Sequence, residues 1–476
     1  MKNKQTNFAP AEYGERRVLA ARNTPQTAEA IIQRIETPLS GLGRVRKAAR
    51  RKERVQFNNL LHHITPDLLR EAYMNLNRQA VSGLDEESWK GYGEQGFFEH
   101  LSRLHTQIQQ GRYQPQPSKR VWISKPDGNE RAIGIRAVED KIVEQALVWV
   151  FEAIYEEDFL GFSYGFRPER SQHHALDALY VAITCKKVSW VLDANIRGFF
   201  DKIDHEWLLR FIGERIADKR VLELCKKMLK AGVDDKGQRL KTEAGIAQGS
   251  VISPMFANIV LHYALDQWVN QWRGRHARGE VYIVRYADDF VIAFQYPEDG
   301  KHLKRALEQR LGKFGLALHR EKTKLIEFGR FAIEDRRKRR AGKPETFTFL
   351  GFTHSCGSRK KDGKFMLRRK TNKEKLRKKV KEIVQQAMKK RFERVKDQAR
   401  WLRSVIVGHF NYYGVPGNRQ ALDAFRTQVC RAWFRALRRR SQKARKLNWL
   451  KMQKLIKAFI PSAKIVHPYP TQRFYV

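Results

Sequence analysis

A chain of 476 residues is long enough for two or three domains, and its 94 Lys and Arg against 51 Asp and Glu give a formal charge of +43. A charge of this size predicts a polyanionic partner; nucleic acid is the leading candidate, and a membrane surface is the alternative. The sequence has no apolar run of transmembrane length, no signal-peptide core and no CxxC pair, which argues against membrane-spanning, secreted and zinc-dependent nuclease proteins and favours a reducing interior.

The first 55 residues are polar and end in a basic run. Such a run can be a solvated helix face, but one charge sign beside few acids is more typical of a phosphate contact. The candidate contacts are Arg46, Lys47, Arg50, Arg51 and Lys52. Between Phe57 and Gln110 the spacing of leucines and aromatic residues predicts amphipathic helices.

The segment from Lys119 to Ile135 has the pattern of a β-hairpin, with Pro126-Asp127-Gly128 at its turn. Lys125 and Arg131 flank this turn. An ordinary solvated hairpin explains two exposed cations, and a pair of cations that holds a triphosphate is the sharper hypothesis. The apolar periodicity that follows predicts a helix over residues 138–155.

A candidate site acid, Asp193, follows a predicted helix for which Ser171 is the N-cap. Residues 188–193 are typical of a strand, and the chain continues through Asn195 to Phe199 and Phe200. An acid at the end of an apolar strand is a common place for an active-site group, although the signal is weak alone. The Gly-rich loop over residues 245–254, which contains Gln248, allows close backbone approach to a ligand, and the absence of a Walker motif argues against a P-loop ATPase.

Two adjacent carboxylates, Asp288 and Asp289, lie between the apolar runs 281–286 and 290–294. This pattern predicts a buried β-hairpin with its acids at the turn. A solvated turn with two surface acids is the simpler interpretation. Buried like charges repel each other unless something neutralises them, and Mg²⁺ prefers carboxylate oxygen.

The last third of the chain is rich in cations and aromatic residues. We predict a solvated basic insertion at residues 336–340, a strand at 347–352, and basic helices over 370–391, 401–413, 422–440 and 447–459. Aromatic residues among cations are typical of RNA-binding proteins, in which they stack on bases. Most of the aromatic residues in this region are nevertheless expected in the hydrophobic core.

These blocks, in this order, resemble the reverse transcriptase/maturase proteins of bacterial group II introns, from about Arg51 to Val476. The matching blocks are Gly165-Phe166-Arg167-Pro168, Gln248-Gly249 with Ile252-Ser253-Pro254, Tyr286-Ala287-Asp288-Asp289, Phe349-Leu350-Gly351-Phe352, Asn411-Tyr412-Tyr413-Gly414 and His467-Pro468-Tyr469-Pro470.

The resemblance implies an α+β right-hand polymerase. A basic extension would occupy residues 1–55, fingers and a palm with a mixed or antiparallel sheet residues 56–356, and a helical thumb/maturase region residues 357–476. It further implies an enzyme of the bacterial cytoplasm that binds intron RNA, an RNA template, a DNA primer and dNTPs, and lacks a nuclease domain.

The resemblance also assigns roles to individual residues. Two Mg²⁺ ions would be held by Asp193, Asp288 and Asp289. The nucleotide would meet Lys125, Arg131, Gln248 and Phe200, with Phe200 crowding the 2′ position of the sugar. Intron RNA would meet the N-terminal basic run and the C-terminal cations, including Arg438, Arg439 and Arg440.

Asn195 departs from the family pattern, because relatives usually carry Asp at this position, five residues before Phe200. An amide oxygen can ligate Mg²⁺ but brings no charge. Asp193 lies two residues earlier, on the same face of a strand, and could substitute for the missing carboxylate. Three hypotheses stay open: a polymerase whose metal site is completed by Asp193 or Asn195, a splicing cofactor with impaired polymerase activity, and a reverse transcriptase co-opted for host defence.

Overall fold

The computed structural model describes residues 40–51, 55–94, 96–124 and 130–473. Periodic apolar residues form helices along most of this length. Up to residue 275 the helices are α1 (Ser40–Ala49), α2 (Pro66–Asn75), α3 (Trp89–Glu94), α4 (Phe97–Gln109), α5 (Val138–Tyr155), α6 (Gln172–Cys185), α7 (His205–Gly213), α8 (Lys219–Lys230), α9 (Ser253–Leu261) and α10 (Gln267–Arg275). The later helices are α11 (Pro297–Gly312), α12 (Ala332–Lys338), α13 (Lys373–Lys389), α14 (Val395–Tyr413), α15 (Arg419–Arg438), α16 (Trp449–Phe459) and α17 (Pro470–Arg473).

The strands of the described ranges form three sheets, which together with the helices confirm the α+β prediction. They are β1 (Ser118–Ser124), β2 (Glu130–Ile135), β3 (Trp190–Asn195), β4 (Val233–Asp235), β5 (Gln238–Leu240), β6 (Val281–Tyr286), β7 (Asp289–Phe294), β8 (Lys324–Glu327), β9 (Phe347–Phe349), β10 (Phe352–Ser358) and β11 (Phe365–Thr371). The first sheet has the order β2-β1-β4-β5 and one parallel pair, β1 with β4. The central sheet, β6-β7-β3-β8, and the third sheet, β9-β10-β11, are antiparallel.

The central sheet is buried on both faces. Phe290 and Ile292 pack into a large core that includes residues of α5 and α9, whereas Val291 packs into a second core with residues of α6 and β9. Successive side chains of a strand point to opposite faces. Asp289 therefore lies on the same face as Val291, the face that looks toward β9.

Helices α13 to α16 surround a third core, in which Leu402, Phe425, Trp433 and Met452 are buried. Their outward faces are exposed and carry much of the positive charge of this region. These helices are thus ordinary amphipathic helices whose polar stripe is mostly cationic. No helix in the described part of the chain is both long and apolar enough to cross a bilayer.

Helix α1 docks onto the rest of the protein. Leu42, Val45 and Ala49 are buried in the large core, where α1 packs against α5. The end of the predicted N-terminal extension is therefore part of the folded unit in the described range. Position 356, the predicted end of the palm, lies inside β10, and the helices of the C-terminal region begin only at Lys373.

Two local predictions were wrong. The segment 347–352 is two strands joined by a tight turn, because Leu350 and Gly351 both have positive φ angles, 47° and 80°. The region after Gly357, predicted to be helical, first forms β11. The insertion 336–340 is mostly exposed, as predicted; its first three residues end helix α12, and Arg336 and the capping residue Arg339 pair with the carboxylate of Glu327.

Candidate active site

The paired acids lie at the turn between β6 and β7. Tyr286 pairs with Asp289 in an antiparallel register, which confirms the predicted hairpin and leaves Ala287 and Asp288 as its two turn residues. Ala287 has a φ of 55°, in the left-handed region that two-residue hairpin turns require. Such a φ is uncommon for a residue other than glycine, so the surrounding structure has to hold it.

One support for this turn is Gly165, the first residue of the Gly-Phe-Arg-Pro block. A Cβ at this position would collide with the backbone nitrogen of Ala287. The side-chain amide of Asn258 donates to the carbonyl of Gly165 at 2.8 Å, and the ring of Phe166 lies 6.2 Å from that of Tyr286. The block therefore acts as a backing for the acidic turn, and glycine is required because two backbones meet.

The second support is the buried ion pair of Arg285 with Asp266. Arg285 is 0% exposed and donates to Asp266 at 2.7 and 2.5 Å, to Ser163 Oγ at 2.6 Å and to the carbonyl of Ala287 at 3.1 Å. Asp266 lies on a π-helical turn, His262–Asp266, between α9 and α10; such turns are frequent at functional sites. Sequence reasoning missed this pair, although a lone cation inside an apolar strand is a signal that a partner must exist.

The register of β3 and β7 brings the other acidic position to the same place. Asn195 pairs directly with Asp289, and Asp193 pairs with Val291. Paired residues and residues two apart share a face of the sheet, so Asp193, Asn195 and Asp289 point to one side. All three line an open cavity of about 1130 Å³. Lysines from β8 and from helix α13, including Lys324 and Lys375, line the same cavity.

Burial raises the pKa of Asp193, Asp288 and Asp289, and repulsion from the other two acids adds to the rise at Asp289. Burial, then the charge of Asp193, then that of Asp288 raise the pKa of Asp289 to about 7. Burial raises the pKa of Asp193 to about 6, against the opposing effects of the Thr348 backbone and Lys324. Burial also raises the pKa of Asp288. Because Asp193 acts on Asp289 more strongly than Asp288 does, Asp193 belongs electrostatically to this group of acids.

The donor type of this group suits a hard divalent cation. Carboxylate oxygens are the ligands that Mg²⁺ prefers, and a cation would offset the repulsion that raises the pKa of Asp289. Among the described residues, however, no three Asp, Glu, His or Cys side chains converge closely enough to form a ready-made metal site. Asn195, directly opposite Asp289, presents an amide, which can ligate a cation but brings no charge.

Strand β9 lies beside the acids, and its residues Phe347 and Thr348 line the same cavity. The backbone of Thr348 lowers the pKa of Asp193 and that of Leu350 lowers the pKa of Asp289, in each case against the larger rise that burial causes. Leu350 has a left-handed conformation, which costs a residue with a Cβ about 1–2 kcal/mol. The block predicted as a strand is therefore a hairpin turn that reaches the acid face.

The predicted nucleotide residues Arg131, Gln248 and Phe200 lie close together. The guanidinium of Arg131 donates to the side-chain carbonyl of Gln248, whose amide nitrogen donates to Asp201 at 3.2 Å. The amide of Ile246 donates to the carbonyl of Phe200 at 2.8 Å, which ties the same loop to the end of β3. Phe200 is partly exposed. Lys125, the other predicted phosphate contact, lies outside the described residues.

The Gly-rich loop passes very close to β2. Gly249 has a φ of 109°, and a Cβ there would lie 2.9 Å from the carbonyl oxygen of Gly134 and 2.7 Å from the side chain of Ile133. The amide of Gly134 also donates to the carbonyl of Gln248 at 2.8 Å. The loop is thus fixed against the hairpin that carries Arg131. The charge of Arg131 opposes the rise in the pKa of Asp288 that burial causes, so this hairpin faces the acidic turn.

The residues predicted to contact RNA differ in whether their charge is paired with an acid. Arg46 and Arg50 share the carboxylate of Glu157, at 3.8 and 2.9 Å, whereas Lys47 and Arg51 are exposed. Lys52 lies outside the described residues. At the end of α15 an open cavity of about 580 Å³ is lined by Arg435, Arg438, Arg439 and Arg445 among others. Arg440 donates to the carbonyl of Phe392 at 3.3 Å.

Comparison with known proteins identifies the family. Residues 123–354 match the family described as reverse transcriptase (RNA-dependent DNA polymerase). Protein YkfC of Escherichia coli (strain K12) is 34% identical over 259 residues, which are 47% of this chain and 67% of YkfC. The group II intron-encoded protein LtrA of Lactococcus lactis subsp. cremoris is 35% identical over 219 residues, which are 45% of this chain and 35% of LtrA.

A more distant match is an intron protein of yeast. The putative COX1/OXI3 intron 1 protein of Saccharomyces cerevisiae is 27% identical over 272 residues, which are 47% of this chain and 32% of that protein. The matched regions therefore span about two thirds of YkfC but only about a third of the intron-encoded proteins. The chain belongs to the reverse transcriptase/maturase family of group II introns.

Proposed function

We propose that this protein is an RNA-directed DNA polymerase and splicing maturase that binds structured group II intron RNA and copies RNA into DNA. The single observation that carries the proposal is the register that sets Asn195 opposite Asp289 with Asp193 beside them, inside the region that matches the reverse transcriptase family. We place its work in a cytoplasmic ribonucleoprotein, on the strength of the intron-encoded relatives.

In this proposal the protein is arranged as a right hand. The sheet that contains the β1–β2 hairpin belongs to the fingers, the central sheet is the palm, and helices α13 to α16 form the thumb and maturase region. The cavity that Asp289 lines is the proposed place for the primer end, because lysines of α13 lie across it from the acids. Cationic side chains at that spacing suit the phosphates of a primer–template duplex.

The proposed reaction joins the 3′-oxygen of the primer to the α-phosphorus of a dNTP and releases pyrophosphate. Asp193, Asp288 and Asp289 would hold two Mg²⁺ ions, which when bound lower the pKa of the 3′-hydroxyl and offset charge on the leaving pyrophosphate. Arg131 would contact the triphosphate, and its hydrogen bond to Gln248 fixes the direction of its guanidinium. Phe200 would close the space beside the 2′ carbon of the sugar and so favour dNTPs.

The role of Asn195 decides how active this centre is. Asp193 could be the third ligand, a proposal supported by its strong effect on the pKa of Asp289. Alternatively, polymerisation is impaired because the amide of Asn195 stands where a carboxylate is needed. The two versions make different predictions for the same two substitutions, Asp193→Ala and Asn195→Asp.

Primer extension on an RNA template with dNTPs and Mg²⁺ tests both versions, with Asp289→Asn as the inactive reference. If Asp193 is the ligand, Asp193→Ala abolishes extension and Asn195→Asp changes it little. If Asn195 impairs the enzyme, extension rises by orders of magnitude only in Asn195→Asp. Absence of extension in the wild type, in Asn195→Asp and with Mn²⁺ in place of Mg²⁺ would reject the polymerase proposal.

Asn195 also favours a second candidate, a splicing cofactor that binds intron RNA and polymerises poorly. This candidate predicts a tight complex with group II intron RNA whose affinity falls steeply with salt, since the contacts are mainly cations on phosphates. A filter-binding titration at two salt concentrations measures it. The candidate is rejected if a scrambled structured RNA of equal length binds equally well.

A further inference from the structure

Residues 162–165 run along the outer edge of β6 and lead to the acidic turn. Ser163 and Arg285 form an isolated parallel bridge, in which the backbone of Arg285 donates one hydrogen bond of 2.9 Å and accepts another of 2.9 Å. Two residues later, Gly165 packs against the backbone of Ala287. A shift of this segment would therefore be transmitted directly to the turn.

Arg285 contacts the same turn with one nitrogen of its guanidinium. Nη1 donates to the carbonyl of Ala287 and to the side-chain carbonyl of Asn258, both at 3.1 Å. The other two nitrogens, Nε and Nη2, donate to Asp266 and Ser163. All five N–H groups that an arginine offers are thus used, so the guanidinium is held in one orientation.

The carbonyl of Ala287 links this network to the acids. A peptide unit is planar, so the carbonyl oxygen of Ala287 and the Cα of Asp288 move together. The hydrogen bond from Arg285 to this oxygen therefore restrains the point from which the side chain of Asp288 projects. Asp289 is the next residue and is restrained through the same turn.

Asn258, on α9, joins the segment beside β6 to the guanidinium. Its side-chain nitrogen donates to the carbonyl of Gly165 at 2.8 Å, while its side-chain oxygen accepts from Arg285. Asn258 is buried, so the loss of either bond would leave a polar group without a partner. An amide suits both contacts because it has a donor and an acceptor, whereas an ionised carboxylate of nearly the same shape has no donor.

We propose that Asn258 is a positioning residue for metal binding, because its amide couples the backbone of Gly165 to the guanidinium of Arg285. Together these contacts fix the turn from which Asp288 and Asp289 project. Partners that orient the ligands of a metal commonly change the metal affinity when they are removed, although they do not touch the metal. This inference rests on the proposed function, since it requires that the two acids bind a metal.

The competing explanation is that Asn258 only satisfies buried polar groups and so stabilises the fold. Asn258→Asp keeps an acceptor for Arg285 but sets a carboxylate oxygen against the carbonyl of Gly165. Its charge should draw the guanidinium toward position 258 and away from the carbonyl of Ala287. Asn258→Ser is the second variant: its hydroxyl is too short to span both partners, and it adds no buried charge that could prevent folding.

Gln398→Glu is the matched control. Gln398 is a buried amide on α14, within the C-terminal helices. It donates to the carbonyls of Arg391 and Glu393 at 3.2 and 2.9 Å and accepts from the indole of Trp433 at 3.1 Å. The control therefore removes buried donors and keeps an acceptor, as Asn258→Asp does, but leaves every contact of the acidic turn described above in place.

The test is binding of Mn²⁺, a paramagnetic substitute for Mg²⁺, measured by electron paramagnetic resonance of the free ion. The wild type, Asn258→Asp, Asn258→Ser, Gln398→Glu and Asp289→Asn are compared, and urea denaturation gives the folded fraction of each. We expect both substitutions of Asn258 to weaken Mn²⁺ binding to the folded protein by about 3- to 10-fold, the range that the loss of one hydrogen bond gives. Gln398→Glu should lose stability and bind Mn²⁺ as the wild type does.

The outcomes separate this inference from the proposed function. Equal Mn²⁺ affinity in the wild type and in the folded Asn258 variants would overturn the positioning role and leave the proposed function standing. An equal loss of affinity in Gln398→Glu would also overturn it, because the effect would then follow from lost stability alone. If the wild type binds Mn²⁺ no better than Asp289→Asn does, the metal site fails, and this inference fails with it.

Discussion

Two tight turns meet at the acid face, and they are held in opposite ways. Both are two-residue hairpin turns that force a non-glycine residue into the left-handed region, Ala287 in one and Leu350 in the other. The Ala287 turn is fixed from inside the central sheet by the buried charge of Arg285, whereas the Leu350 turn is fixed from the C-terminal region by the neutral hydroxyl of Tyr412. A charged, fully buried support resists change, but a single part-buried hydrogen bond leaves room for adjustment.

The largest expected effect comes from breaking the inner support with Arg285→Met. Removing one partner of a buried pair leaves Asp266 without its counter-charge, which should lower the free energy of unfolding by about 3–5 kcal/mol. Urea denaturation measures it. Arg210→Met is the control, because Arg210 and Glu206 form an exposed pair at 3.6 Å that should matter by less than about 1 kcal/mol. Similar losses of unfolding free energy in both variants would contradict the stabilising role assigned to the buried Arg285–Asp266 pair.

The second effect concerns the charge of the Asp289 carboxyl group, which lies beside both turns. Asp289 has its pKa raised from 3.8 to about 7, so the folded, metal-free protein holds a proton that the unfolded chain releases. Stability contributed by this carboxyl is therefore present at low pH and is lost as the pH rises from about 4 through about 7. Asp289→Asn should be more stable than the wild type by on the order of 4 kcal/mol at pH 8 and nearly equal to it at pH 4.

Denaturation in EDTA at pH 4, 6 and 8 measures this difference. Asp423→Asn, in an exposed pair with Arg419, serves as the control and should show no such trend. Millimolar Mn²⁺ should reduce the advantage of Asp289→Asn at pH 8, because a bound cation stabilises the ionised wild type. A pH-independent difference would contradict the repulsion described for the acid face.

The third effect tests the backing of the Ala287 turn. Gly165→Ala places a Cβ against the Ala287 backbone, and overpacking of this kind should cost about 1–3 kcal/mol and reduce primer extension. Gly274→Ala is the control, since that glycine lies in helix α10 with open space around it and alanine should be neutral or stabilising there. Normal extension and stability in Gly165→Ala would show that the turn tolerates displacement.

The smallest expected effect concerns the turn at Leu350. Asn372 caps α13 by accepting from the backbone amide of Lys375 at 3.0 Å, and its side-chain amide donates to the hydroxyls of Thr348 and Thr353, on the two strands that flank the Leu350 turn, at 3.4 and 3.5 Å. Asn372→Ala should cost about 1 kcal/mol and lower extension. Asn448→Ala removes an equivalent cap from α16, far from the acids, and should cost the same stability with extension unchanged. Equal extension in the two variants would show that loss of the Asn372 side chain does not disturb the Leu350 turn.

The two turns also differ in how much of them could be predicted from the sequence. The Ala287 turn was predictable because its strands and acids lie in one contiguous stretch. Its partner Asp266 was not, since it reaches Arg285 only through the π-helical turn of a neighbouring helix. The sequence offered Asp193 and Asn195 as alternatives, and only the strand register with β7 brought both to Asp289.

The turn at Leu350 could not be predicted from the sequence, for physical reasons. Leucine rarely adopts positive φ, so the block around Leu350 is typical of a continuous strand. Strand β11 is rich in Lys and Arg and was mistaken for a basic helix, although every second residue, Leu367, Arg369 and Thr371, is buried. Burial of Arg369 depends on its 3.0 Å bond to Asp177, a residue distant in sequence that no local pattern indicates.

His173 on α6 contacts the carbonyl of Tyr412 and stacks on the ring of His467, and this has a consequence for biosynthesis. A ribosome translates Asp193 and Asp289 well before Tyr412 and His467, and at about 5–20 residues per second the central sheet emerges several seconds earlier than these residues. During that interval the acids exist without the helix that holds the Leu350 turn. The surroundings of the acids are therefore completed only after residues 412–467 have been translated.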